Sequence, residues 1–350
     1  MTSETTVVGP LADPVTSTGG GGDPVVEVRG LQRSFRARGG LLRRGGPPVE
    51  AVRGIDLTVD RGELFGLLGP NGAGKTTTIK MLITLLLPTG GSARVLGHDV
   101  VAQPREVRRR VGYVFGGDRG LYERLSGLDN LRYFAELYGV PPREQKARIG
   151  ELLELVGLSG RERERVEGYS RGMRQRLHIA RGLLHRPEVL FLDEPSIGID
   201  PVGARELRST VAGLVGQGTT VLLTTHYMFE ADELCDRIAV IAGGRIVASG
   251  TPEQLKAGVS GGHVVEVEVF GSAEESAARA RLLPSVRSAG VEERGQAQVL
   301  VVRADAGDRA EVGYDLTRAV LDCLDGQRLG RVFQREPTLE DAYVELVGRR

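Results

Sequence analysis

The run Gly69-Pro70-Asn71-Gly72-Ala73-Gly74-Lys75-Thr76 fits the pattern G-x-x-x-x-G-K-[ST] at every fixed position. Glycines let successive backbone N–H groups curl around phosphate oxygens with no Cβ in the way. A helix beginning at the end of such a loop adds the partial positive charge of its N-terminus. In that arrangement the Lys75 ammonium reaches the outer phosphates, the Thr76 hydroxyl ligates Mg2+, and Thr77 bonds a phosphate oxygen. The flanks agree, with a buried strand expected over residues 63–68 before the loop and a helix over 76–87 after it. By itself the loop states only that a nucleotide is bound, as kinases, GTPases and helicases all do.

Val189-Leu190-Phe191-Leu192-Asp193-Glu194 narrows the chemistry. Four apolar residues bury a strand and deliver two acids at its C-terminal end, where ligands bind in open α/β sheets. Asp193 is expected to hold Mg2+ through water, and Glu194 to polarise an attacking water.

Tyr169-Ser170-Arg171-Gly172-Met173, followed by Arg174-Gln175-Arg176, lies shortly before the acidic strand. Here the sequence resembles the ABC ATPase family, whose signature is Leu-Ser-Gly-Gly-Gln. Ser170 and Gly172 match it; Tyr169, Arg171 and Met173 depart from it. Physically, Ser170 suits the N-cap of the next helix, whose free N–H groups then face an anion. The resemblance implies that this anion is the γ-phosphate of ATP held on another subunit, so that Ser170 and Gly172 join Gly69, Pro70, Asn71, Gly72, Ala73, Gly74, Lys75, Thr76 and Thr77 around the nucleotide.

The remaining family order follows. Ser196-Ile197-Gly198-Ile199-Asp200 resembles the loop that crosses the dimer interface, and His226, at the end of an apolar strand, resembles the switch histidine. Glu194, His226 and Lys75 are then the catalytic set, with Thr76 and Asp193 on the metal. Phe35 resembles the aromatic that stacks on adenine, although it equally suits an ordinary core position. Gly243-Gly244-Arg245-Ile246-Val247-Ala248-Ser249-Gly250 looks like the hairpin that closes this domain in transporter ATPases. One departure stands out. Family members place Gln in the loop after the Gly112-Tyr113-Val114 strand, where it reaches Mg2+ and the water and links the site to the membrane partner. The run Phe115-Gly116-Gly117-Asp118-Arg119-Gly120-Leu121-Tyr122 has none. Asp118 is the available acceptor; the alternative is a looser loop and a slower, more partner-dependent hydrolysis.

These residues need a scaffold, and the 350-residue length suits two domains at roughly 100–200 residues each. The expected fold class is α/β: a P-loop NTPase core of ABC ATPase type with an inserted helical subdomain, plus a small C-terminal α+β, ferredoxin-like unit. Residues 1–23, rich in Thr, Ser, Pro and Gly, read as a disordered tail. Residues 24–257 read as the ATPase domain, with strands at 24–29 and 51–59, alternating strands and helices beyond, and a helical subdomain at about 118–175 in which 130–156 is strongly helical. Residues 258–350 read as the accessory domain after a glycine linker at 258–262. Its strands and helices follow in the order β-α-β-β-α-β, and Thr338-Leu339-Glu340-Asp341 caps a closing helix.

Composition limits the partners. Net charge is zero and the pI is about 7.0, so no overall field draws the chain to nucleic acid. The arginines Arg36, Arg38, Arg43 and Arg44 lie among glycines and read as a solvated loop, with a nucleotide-side or lipid-headgroup role as the sharper alternative. Cys235 and Cys323 fall in helix-like patterns, show no metal or CxxC spacing, and suit free core thiols in a reduced compartment. No apolar run approaches the ~18–20 residues that span a bilayer, so a membrane path would belong to another chain.

The Tyr-Ser-x-Gly-Met form and the ending Arg335-Glu336-Pro337-Thr338-Leu339-Glu340-Asp341-Ala342-Tyr343 are similar to the drug-resistance (daunorubicin-type) exporter ATPases. The resemblance implies an ATP-hydrolysing homodimer, or a paired ATPase subunit, docked on a polytopic permease at the cytoplasmic face of the membrane. It also implies drugs, lipids or polysaccharides as cargo. The contrasting readings are a soluble ABC ATPase acting on ribosomes or DNA, and a P-loop kinase or GTPase. The first usually carries two cores or long coiled coils. The second leaves the Ser170 segment and His226 unexplained.

Overall fold

The computed structural model describes residues 23–35, 48–116, 120–259, 263–283, 286–294, 297–304 and 311–348. The expected tail up to residue 22, the four arginines of the 36–44 segment, Asp118 and the linker glycines at 261–262 lie outside the described residues. The chain divides into two compact units between Gly250 and Thr251.

In the first unit two sheets share the work. β1 (Pro24–Phe35), β2 (Val49–Asp60), β4 (Gly90–Val95) and β5 (His98–Asp99) form an antiparallel sheet in the order β2-β1-β4-β5. The second sheet runs β10-β9-β3-β8-β7-β6. Its strands β3 (Leu64–Leu68), β6 (Val111–Phe115), β7 (Val189–Asp193), β8 (Thr220–Thr225) and β9 (Arg237–Ala242) are all parallel. β10 (Arg245–Gly250) folds back antiparallel on β9 through Gly243-Gly244. β3, β7 and β8 are buried at every residue, as strands covered on both faces must be, which is why they read as unbroken apolar runs. Their C-terminal ends therefore open side by side, one carrying the glycine loop, one the acids and one His226.

The helix after the glycine loop, α1 (Lys75–Leu82), is shorter than the 76–87 expected. Leu82 is followed by β-branched Ile83 and Thr84, and Thr84 adopts a left-handed backbone (φ 64) that no α-helix continues through. β1 extends to Phe35 rather than ending near Arg29, because β2 pairs with it as far as Phe35↔Val49.

Between β6 and β7 lies the helical block, entered past α2 (Pro104–Arg110), which precedes β6. It contains α3 (Gly127–Leu137), α4 (Pro142–Leu155) and α5 (Arg171–Leu183). α3 begins with a serine N-cap: Ser126 Oγ accepts from Asp129 N at 3.0 Å and donates to Asp129 Oδ2 at 2.6 Å. Pro142 occupies the first turn of α4, where a missing N–H costs nothing. α6 (Pro201–Gly216) and α7 (Met228–Leu234) flank β8, and Asp200 caps α6 by accepting from Val202 N and Gly203 N. The backbone hydrogen bond from Gly203, ahead of smaller contributions, holds the Asp200 carboxyl below the ordinary aspartate value. Cys235 does not lie inside a helix. It ends α7 in an extended conformation beneath β3, where burial pushes its thiol pKa up, and both cysteines are free and buried.

The second unit runs α8 (Pro252–Val259), β11 (Val264–Phe270), α9 (Glu274–Ala280), β12 (Val286–Arg294), β13 (Ala297–Ala304), α10 (Glu311–Asp322), β14 (Arg328–Arg335) and α11 (Leu339–Gly348). Its sheet is antiparallel in the order β12-β13-β11-β14. Gly258 and Val259, expected as linker, finish α8 instead. Val265, Val267 and Val269 of β11 point into one core with Ala277, Leu316 and Val320. The opposite face carries ion pairs. Asp341, 2% exposed in its side chain, accepts from Arg303 Nε at 2.9 Å, Thr338 Oγ1 at 2.8 Å and also Arg335, while Arg335 Nε and Arg294 Nη1 each bond Glu266 at 2.8 Å. Burial opposes ionisation of Asp341, yet the hydrogen bonds from Arg335, Thr338 and Arg303 outweigh it and hold the carboxyl well below the usual carboxylate range.

A depressed pKa means that the stabilisation is present above the unfolded value of about 3.9 and fades as pH falls through it. Asp341→Asn is therefore expected to destabilise this unit by roughly 2–3 kcal/mol at pH 7, somewhat under the loss for a fully buried pair. The deficit relative to wild type should shrink below about pH 4. Urea unfolding of the full chain at both pH values measures it, and an equal deficit at both would contradict the ionic account.

Candidate active site at the strand ends

The site grows from the parallel strands. β3 delivers the loop Gly69–Thr76, and the loop is shaped by close approach. A Cβ on Gly69 would lie 2.3 Å from Ile241 O, and one on Gly74 (φ 112) 2.5 Å from Ala51 O, so only glycine fits at either position. Lys75 is buried, and its Nζ donates to Gly69 O at 2.7 Å and Pro70 O at 3.2 Å. The same Nζ lies 3.1 Å from Glu194 Oε1.

From β7 come the two acids. Thr76 Oγ1 donates to Asp193 Oδ1 at 3.0 Å, so the helix that follows the glycine loop and the acidic strand meet through two oxygens, a hard-ligand pair that could hold Mg2+. Thr224 of β8 donates to the same Oδ1 at 2.6 Å, and its Oγ1 and backbone carbonyl each accept from Glu194 N at 3.0 Å. Glu194 itself sits in the left-handed region at φ 51, an uncommon place for a side-chain-bearing residue. On the other flank, Gly116 N donates to Asp193 O at 2.7 Å, and a Cβ there would lie 2.3 Å from Glu194 O. Burial, then the charge of Asp193 and a hydrogen bond to it, push the Tyr113 phenol up.

His226 follows β8. Its Nδ1 lies 3.2 Å from Glu194 Oε2, within ion-pair reach, but the alignment is not that of a hydrogen bond, so among the described residues Nδ1 is buried with no hydrogen-bond partner. The ring packs on Tyr227 at 4.0 Å between centroids. The next residue back, Thr225, anchors this turn: its Oγ1 donates to buried Glu230 at 3.0 Å and accepts from Tyr227 N at 3.0 Å. By contrast His178 in α5 is buried, lacks a hydrogen-bond partner among the described residues, and burial with nearby Arg181 lowers its pKa to about 3, so it stays neutral.

Lys75, Thr76, Asp193, Glu194 and His226 thus form one cluster. Among the described residues, no contact joins Ser170, Gly172 or Phe35 to it. Ser170 Oγ caps α5 by accepting from Met173 N at 3.2 Å, at an exposed helix start. Gly172 lets α5 approach α6, with Gly203 Cα 3.4 Å from where a Cβ would be. The departures from the signature have visible partners. Tyr169 is buried and donates to Arg161 O at 2.8 Å, in space left by Gly127, where a Cβ would meet the phenol oxygen at 2.5 Å. Arg171 Nη1 donates to Gly198 O at 3.2 Å, in the loop after the acids. Phe35 is no core residue. It is 39% exposed, with the Arg33 guanidinium 4.7 Å over its ring. Thr224, Thr225, Tyr113 and Gly116 escaped the sequence reading; the signal for the threonines was two hydroxyls closing a strand directly after the apolar run Val221-Leu222-Leu223.

A glycine loop between a buried strand and a helix, with a lysine and two acids converging on its mouth, defines a P-loop nucleotide-hydrolysing core. A family model described as ABC transporter matches residues 52–197. The daunorubicin resistance ATP-binding protein DrrA3 of Streptomyces coeruleorubidus is 44% identical over 299 residues, covering 85% of this chain and 92% of that protein. A fluoroquinolones export ATP-binding protein of Mycobacterium tuberculosis is 39% identical over 332 residues, covering 94% and 95%. Among solved structures, an ATP-binding subunit of an ABC transporter superposes with a TM-score of 0.56 at 31% identity, over 67% of this chain and 92% of that one. The dimeric ATP-binding cassette MJ0796, solved with ADP and Pi, shares the fold at a TM-score of 0.57 and 22% identity, over 65% and 98%. The chain belongs to the ABC transporter family, as an ATP-binding cassette that hydrolyses ATP. No helix among the described residues is long and apolar enough to cross a membrane.

Proposed function

We propose that two copies of this chain bind two Mg·ATP head to tail and power export through a separate polytopic permease, with the chain peripheral at the cytoplasmic face of the membrane. The observation that carries the reading is the convergence of Lys75, Thr76, Asp193, Glu194 and His226 at the strand ends, while the Ser170-capped start of α5 stays exposed. In each site the backbone of Gly69–Gly74 cradles the phosphates, and Lys75 exchanges its contacts with Gly69 O, Pro70 O and Glu194 for phosphate oxygens. Thr77 bonds a phosphate oxygen, and Phe35 offers an exposed ring to the base. Thr76 and Asp193 are the residues that hold Mg2+, which when bound neutralises phosphate charge. Glu194, released by Lys75, orients the attacking water; His226, beside Oε2, steadies that carboxylate. Positioning and charge account for the catalysis.

The Ser170–Gly172 start of one copy's α5 then faces the nucleotide of the other. The names of the relatives support a drug-type cargo. A groove of about 540 Å³ lined by Arg108, Tyr113, Phe115, Tyr138, Arg181 and His185 suits a permease segment, because Phe115 ends the strand whose next residue, Gly116, touches both acids. The C-terminal unit is the accessory domain of this assembly, and the ferredoxin-like description suits its strand order.

Co-purification from detergent with a polytopic membrane protein, and ATP turnover that rises with it, is the expected result. Recovery with ribosomes or DNA would point to the soluble alternative. Arg171 gives a sharper test of the head-to-tail arrangement. Reversing its charge in Arg171→Glu is expected to weaken ATP-dependent dimer formation roughly tenfold or more, while single-site ATP affinity changes less than about twofold. Sedimentation with ATP and nucleotide titration separate the two quantities; equal losses would place Arg171 outside the dimer contact.

A further inference from the structure

We propose that Thr224 is a positioning residue for hydrolysis, fixing with one hydroxyl both Asp193 and the backbone from which Glu194 projects. The proposal rests on the reading above of Asp193 as metal-holding and Glu194 as water-orienting.

Thr224 and Asp193 are register partners on adjacent parallel strands, β8 and β7. A threonine hydroxyl has one hydrogen and two lone pairs. The hydrogen goes to Asp193 Oδ1 at 2.6 Å, the length of a charge-assisted bond, and a lone pair takes Glu194 N–H at 3.0 Å. Thr224 is fully buried, so water does not compete for either bond. Among the described hydrogen bonds, no other side chain engages both acidic residues.

The two acids differ in how much they depend on it. Asp193 has a further partner in Thr76. Among the described residues the Glu194 N–H has only Thr224, through its Oγ1 and its backbone carbonyl. That N–H belongs to a residue held in the left-handed region, which a side-chain-bearing residue keeps only when its surroundings enforce it. Pro195 follows directly and adds no N–H of its own to hold the turn. Replacing the hydroxyl by a methyl removes a donor from the metal-side carboxylate and an acceptor from the Glu194 backbone at once. ATP is still gripped by the glycine loop and Lys75, which Thr224 does not touch. Turnover and the magnesium requirement should therefore move while nucleotide affinity without metal does not. A threonine that merely satisfies the core would change melting temperature alone.

The test uses the full chain with its native sequence, Thr224→Val, Thr224→Ser and Glu194→Gln. ATP hydrolysis is measured over a range of Mg2+, and ATP affinity by titration in Mg2+ and in EDTA. For Thr224→Val, kcat is expected to fall roughly 10–100-fold with KM changed less than about threefold, the size of a lost hydrogen bond to a charged group felt mainly beyond the ground state. The Mg2+ concentration that gives half-maximal turnover should rise several-fold, with ATP affinity in EDTA unchanged. Thr224→Ser keeps the hydroxyl and should stay within about threefold of native turnover. If Thr224→Val does not fold, Thr224→Cys, whose thiol is a weak donor and acceptor, carries the same expectation at reduced size.

Native kcat and native magnesium dependence in Thr224→Val would overturn the proposal. So would a Thr224→Ser defect equal to that of Thr224→Val, which would assign the effect to the methyl packing. If Glu194→Gln abolishes turnover while Thr224→Val is native-like, the inference alone fails. If Glu194→Gln hydrolyses ATP normally, the underlying assignment of Glu194 fails and takes the inference with it.

Discussion

Lys75→Ala is expected to remove measurable ATP binding, lowering affinity by roughly a hundredfold or more, equivalent to about 3 kcal/mol. The expectation follows from where the ammonium sits. It is buried at the mouth of the loop, held by Gly69 O and Pro70 O, and paired at 3.1 Å with Glu194. A triphosphate replaces those three partners with stronger, anionic ones. Alanine leaves the backbone cradle but no positive charge to meet the phosphates, and it leaves Glu194 facing them as an uncompensated anion. Nucleotide titration on a variant with a native melting curve is the measurement. Unchanged affinity would contradict the assignment of residues 69–76.

Glu194→Gln should have the opposite phenotype: binding persists and turnover stops. The amide is nearly isosteric with the carboxylate and still presents an oxygen to Lys75, so the site is filled and closed. It no longer offers a base to the attacking water, a change that costs about 10²–10⁴ in rate. With hydrolysis blocked, ATP-bound dimers should accumulate and be visible in size-exclusion chromatography with ATP, falling apart only when nucleotide is withdrawn. Phosphate release at the native rate would remove Glu194 from its role. The two variants together separate gripping from cleaving, because Lys75 and Glu194 touch each other yet are expected to fail at different steps.

Much of this site was legible because its chemistry demands contiguous residues. A phosphate cradle needs successive backbone N–H groups, so Gly69–Thr76 announces itself in one stretch. The acids follow an unbroken apolar strand for the same reason. What could not be read is what neighbouring strands contribute. Thr224 meets Asp193 only because β8 pairs with β7 in one register, and Gly116 meets the acids only because β6 flanks β7 on the other side. The departure of Tyr169 from the motif has its explanation, the missing Cβ of Gly127, 42 residues away in sequence. The end of α1 was misplaced because the run 81–87 is apolar enough to continue a helix, and only the backbone angle of Thr84 shows that it does not. Phe35 was ambiguous for lack of any pattern. Its exposure removes the core reading and leaves a ring available to a ligand.

The two native thiols are both covered, Cys235 under β3 with its ionisation suppressed by burial and Cys323 in the core of the second unit. Alkylating reagents require an accessible thiolate, so the folded chain presents a blank background to maleimide dyes and spin labels. A single cysteine placed at an exposed position outside the proposed nucleotide contacts, such as Glu144, would then report the approach of a second copy by fluorescence or pulsed dipolar spectroscopy, with no need to strip the native residues first.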